Sequence, residues 1–197
     1  MTPMLPIHHL PAAGHADMAW KNGLGRTAEI ARAPVGGAVF DWRLSIATIA
    51  ADGPFSAFEG CDRSLVPIAG AGLALEFADG TVLSGGLFET LAFAGERACH
   101  GRLLGQGPTR DLNVITRRAA ASHAVVLTVP PAALTTAGDT SFVVALDGTL
   151  AVAAGTGRWR LGTHDALRID GPGVALRLTT DHPAARAAVV TLTKRAA

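Results

Sequence analysis

The chain has 197 residues, 49% of them hydrophobic and 17% charged, with a formal net charge of +1. That length suits one domain or two small fused barrels, and the apolar share is enough for a buried core. With no acidic or basic block, there is no electrostatic reason to expect a nucleic-acid partner.

The first ten residues, Met1 to Leu10, lack a basic start, a long apolar core and a small-residue cleavage site, so no signal peptide is expected. Every apolar run is broken by Gly, Pro or charge before ~18 residues, so no membrane span is expected. The two cysteines, Cys61 and Cys99, are expected to stay thiols in a cytoplasmic protein.

Asn22-Gly23-Leu24-Gly25 is a turn whose amides can approach an anion, or an ordinary loop. It lacks the third glycine of a dinucleotide fingerprint, and no Walker Gly-Lys-Ser/Thr follows. Phe40 to Ala50 alternates with the period of a strand: Phe40, Trp42, Leu44 and Ile46 on one face, Asp41, Arg43 and Ser45 on the other. Leu73 to Leu83 reads as a hairpin turning at Asp79-Gly80, since Asp-Gly accepts the positive φ of a tight turn. Phe142 to Val152 reads as a second hairpin, turning at Asp147-Gly148. Further strands are expected at Ala124 to Val129, Ala166 to Ile169, Val174 to Thr179 and Ala188 to Thr193. Pro130-Pro131 suits a linker, and short helical turns are expected near Ala132 to Thr136 and Pro183 to Ala187.

Two segments echo each other in order. Phe77 to Thr81 resembles Ala145 to Thr149, and Glu89 to Gly95 resembles Asp165 to Gly171. Either one small barrel is duplicated or two common turn patterns coincide.

Polar residues cluster in three places: Trp20 to Ile30, Phe40 to Arg63, and Gly107 to Ile115. Arg43 and Arg63 each offer a fork that matches a carboxylate. Arg43 and Ser45 line a cavity if their strand closes a barrel, and face solvent if the sheet is open. Asp111 and Asn113, two apart, share one face; Asp41, Asp62 and Asp111 can equally be structural partners of the arginines. Glu29, or a carboxylate paired with Lys21, is the candidate for acid–base work. The histidines are His8, His9, His15, His100, His123, His164 and His182. No His-x-His pair occurs, and His164-Asp165 reads as turn support, so no metal or other cofactor is expected. There is no Gly-x-Ser-x-Gly elbow either.

Taken together the clusters read W-K-N-G-L-G-R-T-A-E-I, F-D-W-R-L-S-I-A, D-G-P-F-S, G-C-D-R and G-P-T-R-D-L-N-V. In this order and spacing they resemble the HutD family, related to the Ves proteins. The resemblance runs along nearly the whole chain and is weakest in the C-terminal third. It implies an all-β fold: a bicupin of two jelly-roll-type barrels, with approximate halves 1–130 and 131–197. It implies a role in tuning bacterial histidine utilisation by binding a formylglutamate-like or formiminoglutamate-like carboxylate. The alternative is a metal-free enzyme of deformylase, deiminase or isomerase type acting on such an intermediate. Carried over by motif, the ligand-binding candidates are Lys21, Asn22, Glu29, Arg43, Ser45, Arg63, Asp111 and Asn113. The partner expected is a small anionic metabolite, with no nucleic acid or membrane, and a homodimer is plausible for such barrels. Leu24 departs from the glycine common at that position and is expected to narrow backbone approach to a ligand.

Overall fold

The computed structural model describes residues 7–36 and 39–195. It is built almost wholly of strands, with a single short 3-10 turn at Ala12–Gly14 among the described residues. The first eleven strands are β1 (Ile7–Leu10), β2 (Ala16–Ala19), β3 (Gly25–Ala33), β4 (Trp42–Ile49), β5 (Gly53–Pro54), β6 (Cys61–Ala69), β7 (Leu73–Phe77), β8 (Val82–Gly85), β9 (Leu91–Ala94), β10 (Cys99–Leu103) and β11 (Thr109–Arg117). The remaining eight are β12 (Ala121–Thr128), β13 (Ala132–Thr135), β14 (Thr140–Asp147), β15 (Leu150–Ala154), β16 (Gly157–Leu161), β17 (Ala166–Asp170), β18 (Ala175–Thr179) and β19 (Arg186–Lys194). No described helix is long and apolar enough to cross a membrane.

The chain divides into two units. One spans Ala16–Ser122; the other joins the residues up to His15 with those from His123 onward. In the Ala16–Ser122 unit a six-stranded sheet, β2-β3-β4-β11-β6-β9, accompanies a four-stranded sheet, β5-β10-β7-β8. Between them lies an apolar cluster of Ile49, Leu65, Leu73, Leu75, Phe77, Leu91, Phe93 and Cys99. In the other unit the sheets run β1-β17-β14-β19-β12 and β13-β18-β15-β16. Its apolar cluster runs from Val143 and Ala145 to Leu176, Leu178 and Ala187. Each unit is therefore a two-sheet jelly roll rather than a closed barrel.

The two units repeat one topology. The order β4-β11-β6-β9 matches β12-β19-β14-β17, and β5-β10-β7-β8 matches β13-β18-β15-β16. Even the irregularities match. Arg110 and Asp111 pair with Ala69 and Pro67, leaving Ile68 as an extra residue in β6. Ala145 and Asp147 pair with Ala187 and Arg186, leaving Leu146 as the extra residue in the equivalent β14. Pro67 beside the bulge also fits, because proline cannot donate to the ladder and is tolerated at such breaks.

The structure sorts the two sequence echoes. Glu89 to Gly95 and Asp165 to Gly171 carry the equivalent strands β9 and β17. The Asp-Gly echo is coincidental. Asp79-Gly80 closes a true hairpin, with β7 and β8 paired and the Thr81 amide donating to Asp79 Oδ1 at 2.9 Å. The expected second hairpin does not form: β14 pairs with β17 and β19, while β15 pairs with β16 and β18. Asp147-Gly148 instead carries the chain from one sheet to the other. Positive φ at the glycine serves a corner as well as a hairpin, and the local pattern does not tell them apart.

The other strand expectations hold, with ends shifted by a few residues. The turn expected to be helical near Ala132 is β13, an edge strand pairing with β18. Alanine's helix propensity is a weak local preference that sheet pairing overrides here. Near Pro183 the chain makes a turn, with the Ala185 amide donating to the His182 carbonyl, and enters β19 at Arg186. Pro130-Pro131, expected to link the two halves, instead joins β12 to β13 inside the unit that runs from His123 onward. The expected turn-supporting carboxylate is present: Asp165 accepts from the Gly162 and Ala12 amides at 2.9 and 2.7 Å and meets His9 Nε2 at 3.1 Å.

Candidate functional site

The strand period decides which side chains enter the Ala16–Ser122 unit. On β4, Arg43, Ser45, Ala47 and Ile49 share one face, and Ile49 belongs to the core, so this face points inward. The register carries the face across the sheet. Asn113 on β11 lies between Ser45 and Leu65; Ile115 lies between Arg43 and Arg63; Asp111 lies opposite Ala47. On β3, Thr27 and Glu29 pair with Ala47 and Ser45, and a bulge at Ile30 keeps Arg32 opposite Arg43. Towards β9 the inner face is apolar; towards β3 it is polar. The polar stretch opens into a cavity of about 420 Å³.

The cavity is lined by Lys21, Asn22, Arg43, Arg63, Asp111 and Asn113, with Trp20, Thr27, Phe55 and Phe58 among its other walls. The structure thus brings six of the eight candidate residues to one space. Ser45 and Glu29 are not in its lining. Ser45 lies beneath it in the β4 row, wholly buried, and Glu29 faces Arg32 across 3.8 Å. Leu24 stays outside as well. Its Cδ1 lies 2.4 Å from where a Cβ on Gly53 would sit, so its bulk packs against β5 and does not narrow the cavity. The turn before it is shaped by Asn22, whose Oδ1 accepts from the Leu24 amide at 3.1 Å.

Two guanidiniums are held in place by aromatic rings. Arg63 is 4% exposed and lies over Phe55, Phe58 and Phe93, at 5.8, 5.0 and 5.1 Å from their centroids. Its Nη1 donates to the Ser56 carbonyl at 3.0 Å. Arg43 lies over Phe40 and Phe58, 5.4 Å from each centroid. Phe58 therefore contacts both cations, and the attraction of each cation for a ring face offsets part of the cost of burying it. Burial lowers the pKa of Arg63 to about 10, with Asp111 opposing the shift, and lowers that of Arg43 as well; both remain cations at neutral pH.

Asp111 is 0% exposed, and neither carboxylate oxygen has a hydrogen-bond partner. Burial pushes its pKa up to about 7, with Arg63 opposing the shift. Ser45 Oγ, Asn113 Oδ1 and the Nε atoms of Arg43 and Arg63 also lack partners. Buried polar groups in folded proteins are nearly always satisfied, so a cluster of exceptions around one cavity marks a place built to meet something else. The other two aspartates are structural: Asp41 pairs with Arg117, and Asp62 with Arg118 at 2.8 Å.

No group of three His, Cys, Asp or Glu side chains suited to a metal occurs among the described residues. The cavity's donor set argues the same way, because two buried guanidiniums around a single carboxylate repel a cation. Cys61 and Cys99 are both buried free thiols, with pKa values raised by burial.

Sequence reasoning missed the aromatic holders. Phe55 stands in the quoted D-G-P-F-S motif, and Phe58 follows three residues later, but a loop phenylalanine carries no signal that it will cover an arginine on the next strand. Phe55 is itself seated on a glycine: a Cβ at Gly101 would lie 2.2 Å from its ring. Gly101→Ala is therefore expected to displace Phe55 and cost about 1–3 kcal/mol, the usual range for overpacking, measurable by denaturant unfolding.

The two-jelly-roll arrangement is a cupin-like fold. At 8% identity, a cupin 2 conserved barrel domain protein from Leptotrichia buccalis shares the fold with a TM-score of 0.54, covering 86% of this chain and 88% of its own. More specifically, the chain belongs to the HutD family, whose model matches residues 12–188. The family is associated with the histidine-utilisation locus. A 21.2 kDa protein from the hutC 3′ region of Pseudomonas putida is 35% identical over 171 residues, 85% of this chain and 89% of that one. The HutD structure from Pseudomonas fluorescens SBW25, solved in a formate condition, matches with a TM-score of 0.84 at 31% identity, covering 97% of this chain and all of its own. Protein Ves of Citrobacter koseri is 35% identical over 99 residues, about half of each chain.

Proposed function

We propose that the chain is a metabolite-binding regulatory protein of histidine utilisation, and that its cavity holds a small carboxylate of the formylglutamate or formiminoglutamate type. The observation that carries this reading is the pair of ring-held arginines, Arg43 and Arg63, at one cavity. Each offers a planar fork matched to a carboxylate, and Lys21 adds a third cation at the rim. Asn113 offers an amide to a neutral end such as a formyl group. Ring-held cations need little reorganisation to receive an anion, so binding loses less to ordering.

Thermal-shift titration tests it, with histidine, urocanate, formiminoglutamate, N-formylglutamate and glutamate as probes. A ligand at 100 times its Kd adds about 2.7 kcal/mol of stability. Stabilisation by a formyl or formimino dicarboxylate is expected. No response to any of the five overturns the reading.

One observation favours a second reading, an enzyme acting on the same intermediate. A buried carboxyl titrating near 7 in a cavity is what a general acid or base needs, and Asp111 meets that description better than Glu29, which faces Arg32. Release of formate or ammonia from those probes, lost in Asp111→Asn, would decide for it.

A further inference from the structure

We propose that Asp111 takes up a proton when a carboxylate enters the cavity, so that the site binds anion and proton together and Asp111, as a carboxylic acid, is one of the ligand's hydrogen-bond donors. This rests on the carboxylate reading above and adds a feature it does not require.

The geometry carries it. Asp111 sits on the cavity wall, wholly buried, and both of its oxygens lack partners, so an entering ligand is the group available to them. An ionised carboxylate only accepts hydrogen bonds, and so does the ligand's carboxylate. Two acceptors cannot bond each other, and a second carboxylate brought beside the first raises the pKa of one of the pair. One proton resolves both conflicts by turning Asp111 into a donor. The proton comes from solvent.

The charged and titratable groups around Asp111 assign the proton to it. Arg63 on β6 is the charged neighbour that acts on it, Arg43 on β4 lines the same cavity, and Lys21 stands at the rim. Glu29 and Arg32 lie beyond Ser45 on β3, facing each other. Cys99, on β10, is a thiol whose pKa burial pushes up. No histidine lines the cavity. Between pH 5.5 and 8.5 the arginines stay charged, and the carboxyls of N-formylglutamate stay ionised because such groups titrate near 4. Asp111 is the one acid in the cavity lining, and its pKa, pushed up to about 7 by burial, falls inside this window.

The test is isothermal titration of the full chain with N-formyl-L-glutamate at pH 5.5, 7 and 8.5, at each pH in two buffers that titrate there and are neither phosphates nor carboxylates (MES and bis-Tris, HEPES and imidazole, EPPS and Tris). The two buffers differ in ionisation enthalpy, so the difference in observed heat counts protons. About one proton taken up per ligand at pH 8.5 is expected, and close to none at pH 5.5. Affinity should weaken tenfold per pH unit above 7. Asp111→Asn, whose amide donates without titrating, should bind with flat affinity across the window and take up no proton. Binding that is pH-independent and buffer-independent in the unmodified chain overturns the coupling and leaves the carboxylate reading standing. Proton uptake that persists in Asp111→Asn also overturns it. No binding at any pH overturns both.

Discussion

Replacing Arg63 with alanine is expected to remove carboxylate binding while leaving the fold in place. The loss should be about 2–5 kcal/mol of binding free energy, the range for deleting one partner of a buried charged contact, or roughly 30- to 4000-fold in Kd. The reason is geometric. Arg63 is fixed by Phe55, Phe58 and Phe93 and by its bond to the Ser56 carbonyl, so its guanidinium has no alternative position and no close substitute. The stability cost should fall below the usual 3–5 kcal/mol for breaking a buried ion pair. Asp111, with a pKa of about 7, discharges by binding a proton when its countercharge goes, so no unpaired buried charge remains. Arg63→Lys keeps the charge but loses the planar fork and much of the contact with three rings, and should recover only part of the affinity. Calorimetry with N-formylglutamate, beside thermal melts of the same variants, checks both halves. Unchanged affinity in Arg63→Ala would move the ligand away from this cavity.

Much of this site was legible because a strand's period of two is simple. The alternation of Phe40 to Ala47 put Arg43 and Ser45 on one face, and the inward direction of Ile49 shows that this is the interior. Which way that face points is not written in the segment; it depends on a second sheet, built from residues 53 to 103, closing over it. The same holds for Asp111. Its place beside Asn113 followed from the sequence, but its lack of any partner is a property of the assembled cavity, where Asp41 and Asp62 had already found Arg117 and Arg118. Glu29 stands outside the cavity lining for a related reason. Its strand position is correct, but Arg32, three residues on, returns to the same face through the bulge at Ile30 and meets it. A bulge shifts register by one residue and leaves no mark in the hydrophobic pattern.

The duplication makes the polar cavity more informative than it is alone. In the second unit the equivalent strands fill their interior with Val143, Ala145, Leu167, Ile169 and Leu178, and no buried arginine enters. One copy of the jelly roll is thus an ordinary core, and the other holds two cations and a carboxyl where that core would be. A polar interior of this kind costs stability and persists where function needs it.

That cost can be measured at Asp111. A rise in pKa from 3.8 to about 7 on folding corresponds to about 4 kcal/mol at 1.36 kcal/mol per pH unit, as a ceiling. The direction follows from proton binding. Below pH 4 the carboxyl is protonated in both states and costs nothing. Between 4 and 7 the folded chain holds a proton that the unfolded chain has released, so stability falls as pH rises. Above 7 both are ionised and the full cost applies. Asp111→Asn keeps the size and removes the charge. Its amide still has to be buried, which reduces the gain, so the variant should be more stable than the parent by about 1–3 kcal/mol at pH 8 and about equal to it near pH 4. Urea unfolding at the two pH values, without ligand, gives the answer. A variant less stable at pH 8 would mean that the ionised Asp111 is firmly paired with Arg63 in the empty protein, and that burial does not hold its pKa above the usual carboxylate range.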